Sequence, residues 1–231
     1  MHITLEQGPA FTLARVALDQ GETVRAESGA MVSMSGTVDI QTKMQGGFLA
    51  AVARSVLTSE SFFQNNFTAA RGPGEVTLAP SLPGDIRRRD LEGDSVILQS
   101  GAYLGSDPRV EIETKWGGAR TFFAREGLFL LRASGRGPLL FSSYGAIVEV
   151  QVPPSGYVVD TGHLVAFEPG LEWTVEKVGG LKSLFFSGEG LVCRFGGSGR
   201  LWMQTRSFDS FLGEIIPHIS RGSDGSRGLL G

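Results

Sequence analysis

Three histidines, one cysteine, a run of arginines and three recurring glutamates are the side chains of this sequence best suited to catalysis or ligation. His163 stands in YVVDTGHLVAFEPGLEWTVEKVGG (residues 157–180), next to the tight turn Asp160-Thr161-Gly162. A histidine near a carboxylate in a turn invites an acid–base reading. The other two, His2 and His218, lie near opposite ends of the chain. No His-x-His, His-Glu-x-x-His or carboxylate-rich calcium loop accompanies them, so no metal centre is expected. A Gly-x-Ser-x-Gly elbow and a Walker loop are also missing, which leaves acyl transfer and nucleotide hydrolysis without machinery. The Gly-x-Gly at Gly72, Gly135 and Gly197 opens a strand each time, so none of these three offers the helix N-terminus of a phosphate cradle. The expectation is no catalytic residue, no cofactor and no metal.

Cys193 sits in the alternating run Leu191-Val192-Cys193-Arg194-Phe195 and reads as a buried, inert thiol. A single cysteine excludes an internal disulfide framework and a cysteine zinc cluster. Arg87, Arg88 and Arg89 follow one another in DIRRRD, flanked by Asp85 and Asp90. They read as a solvated turn carrying its own counter-ions, with an anion or RNA contact as the alternative. The aromatic interleaving that single-strand binding uses is absent nearby.

The elements that position these residues repeat. GETVRAESGA from Gly21, GDSVILQSGA from Gly93 and PSGYVVDTGH from Pro154 each open on a turn, run through an apolar strand and close on a polar-[Ser/Thr]-Gly triplet. Further on, TVDIQTKMQGG, RVEIETKWGG and LEWTVEKVGG echo one another. The triplet glycine lies 14 residues before the lysine in the first two copies (Gly29 to Lys43, Gly101 to Lys115) and 15 in the third (Gly162 to Lys177). That extra residue suggests a bulge. Glu60, Glu126 and Glu189 form a third echo, and the Gly-x-Gly strands a fourth. Four anchors in one order, three times, describe a triplicated β unit. His163 then occupies the slot of Ala30 and Ala102 and reads as scaffold. The three glutamates read as turn caps, with carboxylates clustered on a pseudo-threefold axis as the alternative.

The first unit is longer than its sisters. Its extra length, in GGFLAAVARSVLTSESFFQNNFTA, predicts a short helix near residues 48–57 with Phe48, Leu49, Val52 and Val56 on one face and Arg54 on another. It reads as a plug on the β body. The alternative is an exposed helix docking on another subunit or on a membrane surface. SFDSFLGEIIPHIS predicts a closing helix near 208–216, capped by Ser207 and stopped by Pro217. The glycine-rich residues 220–231 read as a flexible tail.

Bulk numbers agree with a turn-rich β protein. Glycine supplies 33 of 231 residues, about double the usual ~7% share. The net charge of −3 gives no global reason to expect nucleic acid or an anionic membrane. The N-terminus lacks the pattern of a signal peptide, and no apolar run reaches the roughly 18 residues of a membrane span, so a cytoplasmic location is expected.

The stretches SFFQNNFTAARGPGEVTLAPSLPGDI, GLFLLRASGRGPLLFSSYGAI, VVDTGHLVAFEP and SGEGLVCRFGGSGRLWMQTRS closely resemble a widespread bacterial and archaeal family related to the altered-inheritance-of-mitochondria proteins. The resemblance runs from about Glu27 to Ser207. It implies a duplicated β architecture similar to the tryptophan-RNA-binding attenuation protein (TRAP) fold, and it carries over no catalytic residues. Where the family has Gly-Glu before the Phe-Phe run, this chain has Ser59-Glu60.

Together these readings predict one all-β domain over residues 1–219, a TRAP-like or double-stranded-β-helix-like sandwich with units near 1–92, 93–153 and 154–207. The expected role is a non-enzymatic homo-oligomeric scaffold or interaction module, with a protein partner the sequence does not name. The alternatives are a small-ligand or anion-binding protein, RNA binding by fold analogy, and peripheral membrane contact through the 48–56 segment. The acidic total argues against nucleic acid.

Overall fold

The computed structural model describes residues 1–43, 64–114, 129–177 and 191–222. Among the described residues, seventeen strands and one α-helix follow one another, with short 3-10 turns at Ser100–Ala102 and Thr161–His163. The first group is β1 (His2–Glu6), β2 (Leu13–Leu18), β3 (Thr23–Glu27), β4 (Met31–Met34), β5 (Asp39–Lys43), β6 (Gln64–Thr68) and β7 (Gly74–Leu78). The second is β8 (Ile86–Gln99), β9 (Tyr103–Ser106), β10 (Val110–Thr114) and β11 (Leu130–Ser142). The third is β12 (Ile147–Gln151), β13 (Tyr157–Asp160), β14 (Leu164–Phe167), β15 (Glu172–Lys177), β16 (Leu191–Gly196) and β17 (Arg200–Gln204), followed by α1 (Phe208–Gly222). The fold is all-β with a closing helix.

Alternation sets which face each strand buries. In β2, Ala14, Val16 and Leu18 point inward while Arg15 bridges Glu6 and Glu75 on the outer face. In β3, Val24 and Ala26 are buried between half-exposed neighbours. On β5, Ile40 faces outward and is 46% exposed.

One ladder order recurs along the chain. Among the described residues, 13–78, 86–142 and 147–204 each show six strand segments, with β8 and β11 each supplying two. The first segment pairs with the sixth and the sixth with the third (β2-β7-β4; β8-β11-β9; β12-β17-β14). The second pairs with the fifth and the fifth with the fourth (β3-β6-β5; β8-β11-β10; β13-β16-β15). These pairings put the seams at residues 79–85 and 143–146, upstream of the expected boundaries near 92 and 153. The bulge expected only in the third copy is present in every sixth–third ladder, at Met31/Ser33, Leu140/Phe141 and Leu164/Ala166.

Three apolar cores result. The first gathers Val16, Val24, Phe67 and Leu78 with Leu104 and Leu140 from the second segment group. The second gathers Val96, Leu98, Tyr103 and Phe141 with Val165 and Trp202 from the third, the Phe141 and Trp202 rings meeting edge to face at 5.7 Å. The third centres on Phe167, which stacks edge to face on Phe195 (5.2 Å) and Trp173 (5.4 Å). Burial pushes the Tyr103 hydroxyl well above its usual pKa, although Ser106 hydrogen bonds to it.

The closing helix differs from expectation. It runs through Pro217 to Gly222, so residues 220–222 belong to it and not to the tail. Proline removes one backbone donor and crowds the carbonyl four residues back, here that of Gly213. On a helix this exposed, water can satisfy that carbonyl, so the helix continues. Ser207 caps it as expected, its Oγ accepting from the Ser210 N–H.

Candidate functional site

Three short segments leave the sixth strands and gather at one place. Gly84 and Gly145 form a parallel bridge; the Asp85 N–H donates to the Gly145 carbonyl and the Gly145 N–H to that of Pro83. Thr205 joins them, its N–H donating to the Ala146 carbonyl and its Oγ1 accepting from the Ala146 N–H. Asp85 is the buried node of this junction: its carboxylate accepts from Thr12 Oγ1 and from the Ile86 and Ile147 N–H groups. Sequence reasoning treated Asp85 only as a counter-ion. Its neighbour Gly84 was the available signal, because a Cβ there would lie 1.6 Å from the Ser143 carbonyl oxygen.

Beside this junction lies a cavity of about 290 Å³, lined by Glu27, Gln99 and Gly162 from the triplets and by Ser142, Tyr144 and Gln204 from the exits. Its two glutamines are committed to the scaffold. Gln99 Nε2 donates to the Thr161 carbonyl, and Gln204 Nε2 to that of Gly162. His163 is committed as well. Its Nδ1–H donates to the Gln204 carbonyl at 2.7 Å, which ties the triplet turn to β17. Cys193 is fully buried in the third core. Among the described residues no group of three or more His, Cys, Asp or Glu is disposed to hold a metal.

The arginine run lies in β8, not in a turn, because it continues the ladder with β11. Each member has a carboxylate: Arg87 faces Asp85 (3.6 Å), Arg88 pairs with Asp90 (2.9 Å), and Arg89 bridges Asp94 and Glu168. Glu168 also holds Arg200 at 2.7 Å, and both Arg89 and Arg200 lie over the Trp202 ring. Burial opposes the charge on Glu168, yet the Arg200 N–H and guanidinium outweigh it and hold the carboxyl below its usual range. Asp94 behaves alike, burial being outweighed by the Glu92 N–H and the Arg89 guanidinium. The Glu168–Arg200–Trp202 part of this network carried no sequence signal, since its members lie far apart along the chain.

Phe48, Leu49, Val52, Val56 and Glu60 lie outside the described residues, as do Glu126 and Glu189. The apolar surface that can be described lies elsewhere. On α1, Phe208, Phe211, Ile215 and Ile219 are exposed, and the helix touches the β body through a Phe211–Tyr144 ring contact at 6.1 Å. No helix of the described residues is long and apolar enough to cross a membrane. On the sheets, the exposed apolar side chains include Met31, Val32 and Met34 of β4 and Val158 of β13. Both strands end their sheets, one in the order β1-β2-β7-β4 and the other in β13-β16-β15.

A family model described as Mitochondrial biogenesis AIM24 matches residues 3–206. The chain belongs to the AIM24 family. An uncharacterized protein of Streptococcus pyogenes serotype M6 is 27% identical to this AIM24 chain over 232 residues, covering 97% of this chain and 93% of that protein. A Streptococcus pyogenes protein solved by X-ray crystallography is 27% identical, with a TM-score of 0.78, and the match covers 94% of this chain and 99% of that one.

Proposed function

We propose that this AIM24 chain is a non-enzymatic, cytoplasmic β scaffold, triplicated and TRAP-like, that assembles with copies of itself and serves as an interaction module. One observation carries the reading. Second-segment strand β3 pairs with third-segment strand β9 of the next group, and β8 pairs with β14 in the same way. The corresponding strands at the chain's two ends, β13 and β4, have no such partner among the described residues. Burial follows the pairing: β9 and β14 are buried along their whole length, whereas β4 is exposed along all of it. An open strand edge is a template for another chain. The neutralised arginines of β8 and the acidic total weigh against RNA as the partner.

Light scattering on the purified chain tests this. A discrete mass above that of one 24.6 kDa chain, unchanged by lipid vesicles, is expected. A monomer at every concentration, or a monomer that moves onto vesicles, overturns the reading.

A further inference from the structure

Inside the chain, the two completed junctions share one register. Counted from the triplet glycines Gly29, Gly101 and Gly162, Arg25 pairs with Ser106 and Ala26 with Gly105, while Ile97 pairs with Phe167 and Leu98 with Ala166. In both cases the residue four before the glycine of one group meets the residue five after the glycine of the next. The residue three before meets the residue four after. Carried to the open ends, that rule matches Val158 with Met34 and Val159 with Ser33.

The side chains follow the same rule. Three residues after the triplet glycine stand Leu104, Val165 and Val32. Leu104 is 0% exposed and sits in the first core; Val165 is 1% exposed and sits in the second. Each thus enters the core of the preceding group. Val32 is 59% exposed, with no core of a preceding group beside it among the described residues. The third core is correspondingly under-covered. Among the described residues, five half-buried apolar side chains flank it (Val150, Tyr157, Trp173, Val175 and Met203), against Met1 for the first core and Phe129 for the second. A knob without a hole and a core short of a knob stand at the two ends of one chain.

We infer that β4 of one copy pairs antiparallel with β13 of a second copy, Val158 opposite Met34 and Val159 opposite Ser33, with Val32 entering the second copy's third core. The inference rests on the self-assembly reading and specifies its interface. The contact is heterologous, head to tail, so it generates a closed ring or an open filament. Directly opposed residues on paired strands have Cβ atoms about 4.5–5.5 Å apart, within reach of a disulfide after small adjustment. The resident Cys193 is buried and does not compete.

The test mixes two single-cysteine variants of the full chain, Val158→Cys and Met34→Cys, under mild oxidation, with light scattering of the unmodified protein alongside. A disulfide-linked dimer of the Val158→Cys and Met34→Cys variants should form across chains, in clear excess over a mixture of Val158→Cys with Leu5→Cys, a half-exposed position on β1. In the same assay Val32→Asp should weaken association by at least about tenfold, as loss of one buried valine predicts, while leaving the far-ultraviolet spectrum unchanged. An oligomer without the specific cross-link would leave self-assembly standing and overturn this register. A monomer by light scattering would overturn both. A doubly substituted chain that bridges only within itself would show the ring closing on its own ends, which also overturns the inference.

Discussion

Replacing Gly84 by alanine should destabilise the whole domain, while the same change at Gly170 should not. At Gly84 the added Cβ would lie 1.6 Å from the Ser143 carbonyl oxygen and 2.7 Å from its carbon. Both are backbone atoms, so no side chain can swing aside. Ordinary contact requires the two segments to separate by about 2 Å. That movement breaks the bonds from Asp85 N to Gly145 O (3.0 Å) and from Gly145 N to Pro83 O (2.9 Å), and it strains Thr12 N to Gly84 O (3.0 Å). At about 1 kcal/mol for each bond, the cost is roughly 3 kcal/mol, more if the carboxylate of Asp85 loses a buried partner. For a domain of this size that lowers Tm by about 6–12 °C. Gly170 has nothing within 4 Å of its would-be Cβ and does not occupy the left-handed region. Alanine there should leave Tm within a degree or two, or raise it slightly by restricting the unfolded chain. Thermal melts of the two variants against the parent decide the matter. Equal melting temperatures for the two variants would refute the close packing of the exit segments on which the junction rests.

Asp85→Ala strands Thr12 Oγ1 and two backbone N–H groups in a buried site, and should cost about 2–4 kcal/mol in urea unfolding; Asp85→Asn, which keeps one acceptor, should cost less. Glu168 and Asp94 have folded pKa values held below their unfolded ones, so they contribute stability that is present above about pH 4 and lost as pH falls through the folded values. The Tm gap between the parent and Glu168→Gln should therefore narrow on acidification below about pH 4, as seen in a pH series of melts. Ending the chain after Ser207 removes a helix whose apolar side chains Phe208, Phe211, Ile215 and Ile219 are exposed and which meets the body at the Phe211–Tyr144 contact, so the strand signal in circular dichroism should persist and Tm should change by only a few degrees. Leu104→Ala should cost about 2–5 kcal/mol in monomer stability, whereas Val32→Ala, at the matching but exposed position, should cost under about 0.5 kcal/mol.

Most of the fold could be read from the residues because glycine marks it so regularly. The triplets end the second strands, and their glycines lead into third strands that carry bulges. His163 lost its catalytic reading when it was aligned with Ala30 and Ala102, and in the structure its ring is bound to a backbone carbonyl. The unit seams were harder to place. They lie in segments such as PSLPGD, whose turn residues resemble those inside each unit, and only the ladder shows that Ile86 and Ile147 open new groups. The helix end was misplaced because the proline rule assumes that a lost backbone bond must be replaced within the protein, and at the surface water replaces it. The arginine network was legible only in part. Asp85 and Asp90 flank the arginines in sequence, but Glu168 reaches Arg89 only through pairing of β14 with β8. The open seam had no local signature at all. Met31-Val32-Ser33-Met34 is as apolar as Tyr103-Leu104-Gly105-Ser106, and only the missing neighbour distinguishes the two strands.

Hydrogen–deuterium exchange at residues 31–34 and 157–160, followed as the protein is diluted, tests the self-assembly claim most directly. Edge strands that pair between copies should be protected at high concentration and lose that protection together on dilution, while β9 and β14 stay protected throughout. Fast exchange of both edges at every concentration would contradict the account.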